Sequence, residues 1–152
     1  MMKLIAVAVA ALSLGVAETA AAQTLSNSEK LAGGTWVCVA LNDGMTVVSK
    51  QSYKAGGTSK MTVMVAGESE GIPVRIVAEG LGTWSFSGNS LDEQLSSMTA
   101  TFADIGGEEA LDIAQEMLDT TMVNVPLSNT ATFDGPTVHM VDGDGVVTDC
   151  MR

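Results

Sequence analysis

Gly33-Gly34-Thr35-Trp36-Val37-Cys38-Val39-Ala40-Leu41 is the stretch that decides the fold. It is a Gly-led apolar run of strand-forming residues, and its cysteine has one possible intramolecular partner, Cys150, two residues from the C-terminus. An even cysteine count in an exported chain favours a bridge over free thiols. A Cys38–Cys150 disulfide would tie the first core strand to the last, and a sheet whose first and last strands meet is a barrel.

Export is read from residues 1–22. Lys3 precedes an apolar run over residues 4–14, followed by small residues ending Ala20-Ala21-Ala22. This is the pattern of a Sec-type signal peptide cleaved after Ala22. The run is shorter than the roughly 20 residues a membrane helix needs, and no later stretch supplies one, so no membrane span is expected. No cysteine follows the cleavage point to carry a lipid, and the mature chain is expected in the periplasm or secreted. The domain plan is a signal peptide at 1–22, a flexible polar lead at 23–32, and one barrel domain at 33–152 with a helix near 107–120. A mature chain of this length suits one core.

The charge balance excludes several partners. The formal charge is −11, and the bases left after processing are Lys30, Lys50, Lys54, Lys60, Arg75 and Arg152. Between Arg75 and Arg152 only His139 can carry positive charge. Such a chain repels phosphate backbones and anionic lipid, which argues against nucleic-acid binding and membrane adsorption. The acidity reads as a solubility feature.

Turn residues and period-two alternation set out the strands. Asn42-Asp43-Gly44 is a turn, and Ala55-Gly56-Gly57 joins segments 45–54 and 58–66 in the clearest hairpin of the chain. Segment 72–79 places Ile72, Val74, Ile76 and Ala78 on one side, with Pro73 suited to its start or to an edge. In 82–87, Trp84 and Phe86 point one way and the hydroxyls of Thr83, Ser85 and Ser87 the other. Gly88-Asn89 turns the chain into 90–104, where strict alternation puts Met98, Ala100 and Phe102 on one face. Segments 130–133, 137–141 and 146–151 bring the count to eight or nine strands. Nearly all connections read as hairpins, which implies an antiparallel meander. One amphipathic helix interrupts it: Ala110, Ile113, Ala114, Met117 and Leu118 form an apolar stripe, and Glu108 and Glu109 suit the positive N-terminal end. The stripe should cover one end or one side of the barrel.

Several of these residues carry a resemblance. Gly34-Thr35-Trp36 resembles the lipocalin G-x-W signature, and the hairpin Tyr53-Lys54-Ala55-Gly56-Gly57-Thr58, with Gly82-Thr83-Trp84 and Gly88-Asn89-Ser90-Leu91, is similar to the small lipocalin-like (calycin) β-barrel domains of secreted bacterial proteins. The resemblance implies that Trp36 closes the barrel floor and that Arg152 lies over its ring. The lipocalin T-D-Y signature is absent, Thr148-Asp149-Cys150 being a partial echo on the final strand, and the helix precedes the last strands where the family usually places it after the barrel.

Residue chemistry narrows the function classes further. Asp142-Gly143-Asp144-Gly145 invites a calcium reading, but an EF-hand loop needs a third ligand pair and a distal glutamate that the chain does not provide, so a hairpin turn is expected. His139 has no G-x-S-x-G elbow or comparable nucleophile with it and reads as a structural or surface residue. One histidine beside two bridged cysteines cannot build a zinc site. Met45, Met61, Met64, Met98, Met117, Met122, Met140 and Met151 are scattered where a copper site would cluster them, and read as flexible core or cavity lining. Asp92-Glu93 and Glu108-Glu109 are sequence neighbours, which point apart on a strand and do not face each other on a helix. No catalytic group, metal or cofactor is expected. The function expected is non-enzymatic binding of a small apolar or amphipathic ligand, with Trp36, Met61, Val63, Val65, Val74, Ile76, Trp84, Phe86, Met98 and Phe102 facing inward. The alternative is a protein-interaction module such as a periplasmic protease inhibitor, in which the polar residues 23–28 enter a target protein.

Overall fold

Alternation holds along the first strand, β1 (Thr35–Asn42): Trp36, Cys38 and Ala40 are buried, while Thr35, Val37 and Val39 face solvent. The structure is a computed structural model and describes residues 24–152. The signal-peptide reading of residues 1–22 lies outside the described residues. A short helix, α1 (Asn27–Ala32), leads into β1, and hairpins then join β2 (Met45–Tyr53), β3 (Thr58–Ser69), β4 (Ile72–Ser87) and β5 (Ser90–Ile105). A two-residue strand, β6 (Glu108–Glu109), and helix α2 (Leu111–Thr121) come next, followed by β7 (Pro126–Asp134), β8 (Thr137–Val141) and β9 (Val147–Met151).

Every pairing between these strands is antiparallel. Strand β9 returns to β1, and β5 bridges β4 and β7, so the eight strands other than β6 close into a barrel. At the seam Cys38 lies directly opposite Cys150, and the two form the expected disulfide with their Cα atoms 4.0 Å apart. The mainly β, antiparallel, disulfide-closed barrel is therefore the fold that the Cys38 strand implied.

Helix α1 plugs one end. Ser26 caps it, its hydroxyl accepting from the Glu29 amide while the Glu29 carboxylate accepts from the Ser26 amide at 2.8 Å. This places Leu31 in the core with no exposed surface, and the Trp36 indole donates to the Leu31 carbonyl at 2.8 Å. Arg152 lies 4.5 Å over the Trp36 ring and donates to the Lys30 carbonyl at 2.7 Å, a cation–π contact worth roughly 0.5–2 kcal/mol. Both contacts cross Gly33, where a Cβ would fall 2.4 Å from the guanidinium. Residues 27–32 are thus a structural plug, where the polar composition suggested a flexible lead. Tyr53, Trp84, Leu91 and Val138, with Phe86 and Phe133 at the margin, fill the floor above it.

Three expectations from simple alternation change. Segments 72–79 and 82–87 are one continuous strand, β4. Gly80 and Gly82 sit inside it because a Cβ there would meet Met98 Sδ and the Gln94 carbonyl, each at 2.5 Å; they permit close approach and do not break the strand. Second, β5 carries two extra residues. Consecutive residues of β4 pair with Leu95 and Ser97, and with Ala100 and Phe102, skipping Ser96 and Thr101. Each is a β-bulge, and each hydroxyl donates to a carbonyl of β4: Ser96 to Leu81 at 3.1 Å, Thr101 to Val77 at 3.2 Å. Met98 and Ala100 consequently face inward, but Phe102 faces outward, 45% exposed beneath Arg75. Third, the helix starts at Leu111, because Glu108 and Glu109 pair with Ile105 and Asp104 of β5 and do not sit on the first turn. Ala110, Ala114 and Leu118 are its buried contacts, while Ile113 and Met117 of the expected stripe are largely exposed.

The position of α2 follows from unequal walls. Strand β7 begins at Pro126, opposite Gln94, and pairs with β5 only over residues 90–94. Between there and the two-residue pairing with β6 at Asp104 and Ile105, the β5 edge has no strand beside it, and buried backbone groups left unpaired are costly. Polar atoms from α2 and its flanks take the strand's place. The Asn124 amide donates to the Leu95 carbonyl at 2.7 Å and the Ala110 amide to the Ala103 carbonyl at 3.1 Å. Between them the Gln115 side chain donates to the Met98 carbonyl at 2.8 Å and accepts from the Ala100 amide at 2.9 Å.

Candidate functional site: two cavities of opposite character

Strands β3, β4 and β5 have 12, 16 and 16 residues, while β8 and β9 have five each. The tall side of the barrel therefore stands above the short side, and α2 leans into the difference. Two cavities result.

The first, about 450 Å³, lies at the end away from the Trp36 floor. Val63 and Val65 of β3, Val74 and Ile76 of β4, Ile105 of β5 and Leu118 of α2 make its wall, and Ser69, Glu70 and Ile72 of the β3–β4 turn form part of its rim. Alternation on three neighbouring strands builds this aliphatic surface: Val63, Ala78 and Ala100 are successive partners, as are Val65, Ile76 and Ala103.

The second, about 470 Å³, is more polar than the first, although Met61, Leu95, Met122, Leu127 and Met140 also line it. It opens on the short side, where the loop between β8 and β9 brings Asp142 and Asp144 to its edge, and Gln51, Glu93, Asn129 and Thr148 reach it from β2, β5, β7 and β9. The helix separates the two spaces, Leu118 lining the first and Met122, one turn on, the second.

An inner row on β2 supplies part of the polarity. Cross-strand partners point the same way, so Ser49, Gln51 and Tyr53 follow Val63, Met61 and Ser59 into the barrel. The Tyr53 hydroxyl donates to Gln51 Oε1, and Gln51 Nε2 donates to Ser49 Oγ at 2.9 Å. Glu93 enters from the other wall, on the same face as Leu91 and Leu95 and opposite Trp84. Burial holds its carboxyl above the usual carboxylate range, and hydrogen bonding to Tyr53 opposes that only in part. Tyr53 is pushed well above the ordinary phenol value by burial first and by the neighbouring Glu93 charge second. Tyr53 has one proton and two acceptors beside it, Gln51 Oε1 and the Glu93 carboxyl.

Of the ten residues expected inside, Val63, Val65, Val74 and Ile76 line the apolar cavity and Met61 lines the polar one. Met98 is buried between the walls with Leu95 and Leu118. Trp36, Trp84 and Phe86 belong to the packed floor and line neither cavity, and Phe102 is on the outside. The polar interior, Ser49, Gln51, Tyr53 and Glu93, was not among the expected site residues. A signal existed, since Leu91-Asp92-Glu93-Gln94-Leu95 puts Glu93 in phase with two leucines.

The remaining candidates resolve simply. Asp142 Oδ1 accepts from the amides of Asp144 and Val146, both at 2.9 Å, as an Asx-type turn closing the β8–β9 hairpin. His139 is on the outer wall with its Nδ1 2.5 Å from Asp149 Oδ1, both side chains at least half exposed. Among the described residues no three His, Cys, Asp or Glu side chains gather as a metal site, and no helix is long and apolar enough to cross a membrane. Comparison with protein-family models and with curated proteins finds no match for this chain.

Proposed function

We propose that this chain is an exported, non-enzymatic, lipocalin-like barrel that holds a small apolar or amphipathic molecule in the cavity beneath α2. The observation that carries the reading is that cavity. Its volume, about 450 Å³, falls within the roughly 300–1,000 Å³ of small-molecule sites, and aliphatic side chains make most of its wall. The lipocalin-like character rests on the eight-strand meander, the G-x-W strand and Arg152 over Trp36. Export rests on residues 1–22 and on the disulfide, which persists in oxidising compartments. Binding is favoured over catalysis because His139, the one imidazole in the chain, is held by Asp149 on the outer wall, away from both cavities. The protease-inhibitor alternative has less support, since from Ser26 onward the lead is tied down by the capping box, the Asn27 hydrogen bond to the Gly88 carbonyl and the Leu31 plug.

Native mass spectrometry of the processed protein taken from an exporting host tests the proposal, together with a panel of fluorescent fatty acids. A co-purifying molecule of lipid-like mass, or saturable probe binding at one site per chain, is expected. A bare chain that no probe binds contradicts it.

A further inference from the structure

The outer wall of the barrel carries an apolar face that no described residue covers. Six of the twelve large apolar side chains exposed among the described residues stand together on it: Val37, Val39 and Leu41 of β1, Val147 and Met151 of β9, and Val141 of β8. The registers make them neighbours. Val37 is opposite Met151 and Val141 opposite Val147, while Val39, Leu41 and Val147 surround one shallow depression between β1 and β9. Val48 and Met64 continue the Val39 row across β2 and β3. Contiguous apolar surface of this extent marks a binding face.

The charges around the face are divided by sign. On the outward positions of β1, β2, β8 and β9 the one carboxylate is Asp149, paired with His139 at 2.5 Å, although the chain as a whole has a formal charge of −11. Toward the Trp36 floor, Lys50 lies beside Val37, Lys60 beside Ser52, and Arg152 follows Met151. The acids at this end are Glu29, turned into its capping box, and Asp134 on the β7–β8 turn. At the other end Asp43 is on the β1–β2 turn, Glu68 is on β3 beside that turn, and Asp142 and Asp144 are in the β8–β9 loop. The base nearest to them, Arg75, lies over Phe102 on β4, three strands from β1.

We propose that this face is where two copies of the chain meet, about a two-fold axis that crosses β1 near Val39 and sets the two β1 strands antiparallel. The same surface is then used by both copies, as a two-fold dimer requires, and the basic end of each lies over the acidic end of the other. Parallel strands would put like ends together. Sheets packed face to face run their strands within about 30° of one another, which this axis allows. Four strands at about 4.8 Å spacing, with the eight residues of β1 at about 3.4 Å each, give roughly 500 Å² per copy. That is close to the lower bound of about 1,000 Å² in total for a specific interface, so the dimer is weak and reversible. The face is on the outside of the barrel and uses no residue of the aliphatic cavity, so the two readings stand or fall independently.

Sedimentation equilibrium on the processed, oxidised protein tests this over about 1 μM to 1 mM, a range that brackets the Kd of roughly 10–100 μM expected of so small an interface. A reversible monomer–dimer equilibrium is expected. Val39→Lys, which sets like charges against each other at the axis, should weaken the dimer by about ten-fold or more. Ile113→Lys replaces an exposed apolar residue on α2, across the barrel from β1, and should leave the dimer unchanged. Asp144→Lys separates complementary ends from bulk repulsion. It brings the formal charge from −11 to −9 by exchanging one acid for one base, yet should weaken the dimer by about three- to ten-fold. All three positions are exposed, and matched melting curves show that each variant is folded. Protein that is monomeric at every concentration overturns the inference and leaves the face to a partner of another kind. A Val39→Lys variant that dimerises as the wild type does, or an Asp144→Lys variant that dimerises more tightly, overturns it as well.

Discussion

Replacing Gln115 by alanine removes the amide that stands in for a missing strand. Its two hydrogen bonds to β5, at 2.8 and 2.9 Å, are part-buried. Truncation leaves the Met98 carbonyl and the Ala100 amide without partners, at about 1–3 kcal/mol per group where water is excluded and less where it enters. With water reaching one side of the helix, the two together should cost roughly 2–4 kcal/mol, a large share of the roughly 5–15 kcal/mol that holds a domain folded. For a chain of this size that is a fall in melting temperature of about 6–14 °C. Gln115→Met keeps the apolar stem and should lose nearly as much, which separates the hydrogen bonds from packing. Urea unfolding gives the free energy, and amide exchange at Ala100 gives the location, since protection there should drop further than at β1 amides. If both variants unfold at the wild-type midpoint with Ala100 still protected, α2 is not what completes the β5 edge.

Removing the disulfide by Cys38→Ser with Cys150→Ser should cost about 2–5 kcal/mol, because it frees a loop spanning a separation of 112 residues; probe binding in the aliphatic cavity, measured well below the new melting temperature, should persist. Glu93 should make stability depend on pH. Its folded value is raised, so its contribution is complete below the unfolded value of roughly 4.3 and is lost as pH rises through the folded value. Melting temperatures across a pH series should therefore show Glu93→Gln more stable than the ligand-free wild type at neutral pH and the difference vanishing in acid; parallel curves would show that Glu93 ionises without penalty.

The closed barrel was legible because Trp36, Cys38 and Cys150 carry local signals that agree with one another: an alternating strand, an even cysteine count and a C-terminal partner. What escaped depends on contacts between distant residues. Gly80 and Gly82 look like a strand break until Met98 and the Gln94 carbonyl are placed against them, and then they are what allows β4 and β5 to touch. Phe102 is in phase with Met98 by strict counting, but Thr101 inserts one residue between them, and a hydroxyl side chain gives no warning that it satisfies a bulge. The aliphatic cavity was half legible, with Val63, Val65, Val74 and Ile76 read from alternation and Leu118 from the helical stripe. Its polar counterpart was hidden by the habit of placing glutamate, glutamine and serine outside, although Glu93 shares its phase with Leu91 and Leu95. Gln115 had no local signal at all, since its task exists only because β7 does not begin until Pro126.

The central claim is that the aliphatic cavity beneath α2 is a binding site, and filling it tests this most directly. Val65 lines that cavity and is only partly buried, so Val65→Phe extends an aromatic ring into the space without crowding the floor around Trp36. A fluorescent long-chain probe titrated into both proteins, with matched melting curves as the control, should bind the wild type saturably and lose most of its affinity for the variant. Equal binding by two equally stable proteins would place the ligand elsewhere and contradict the account.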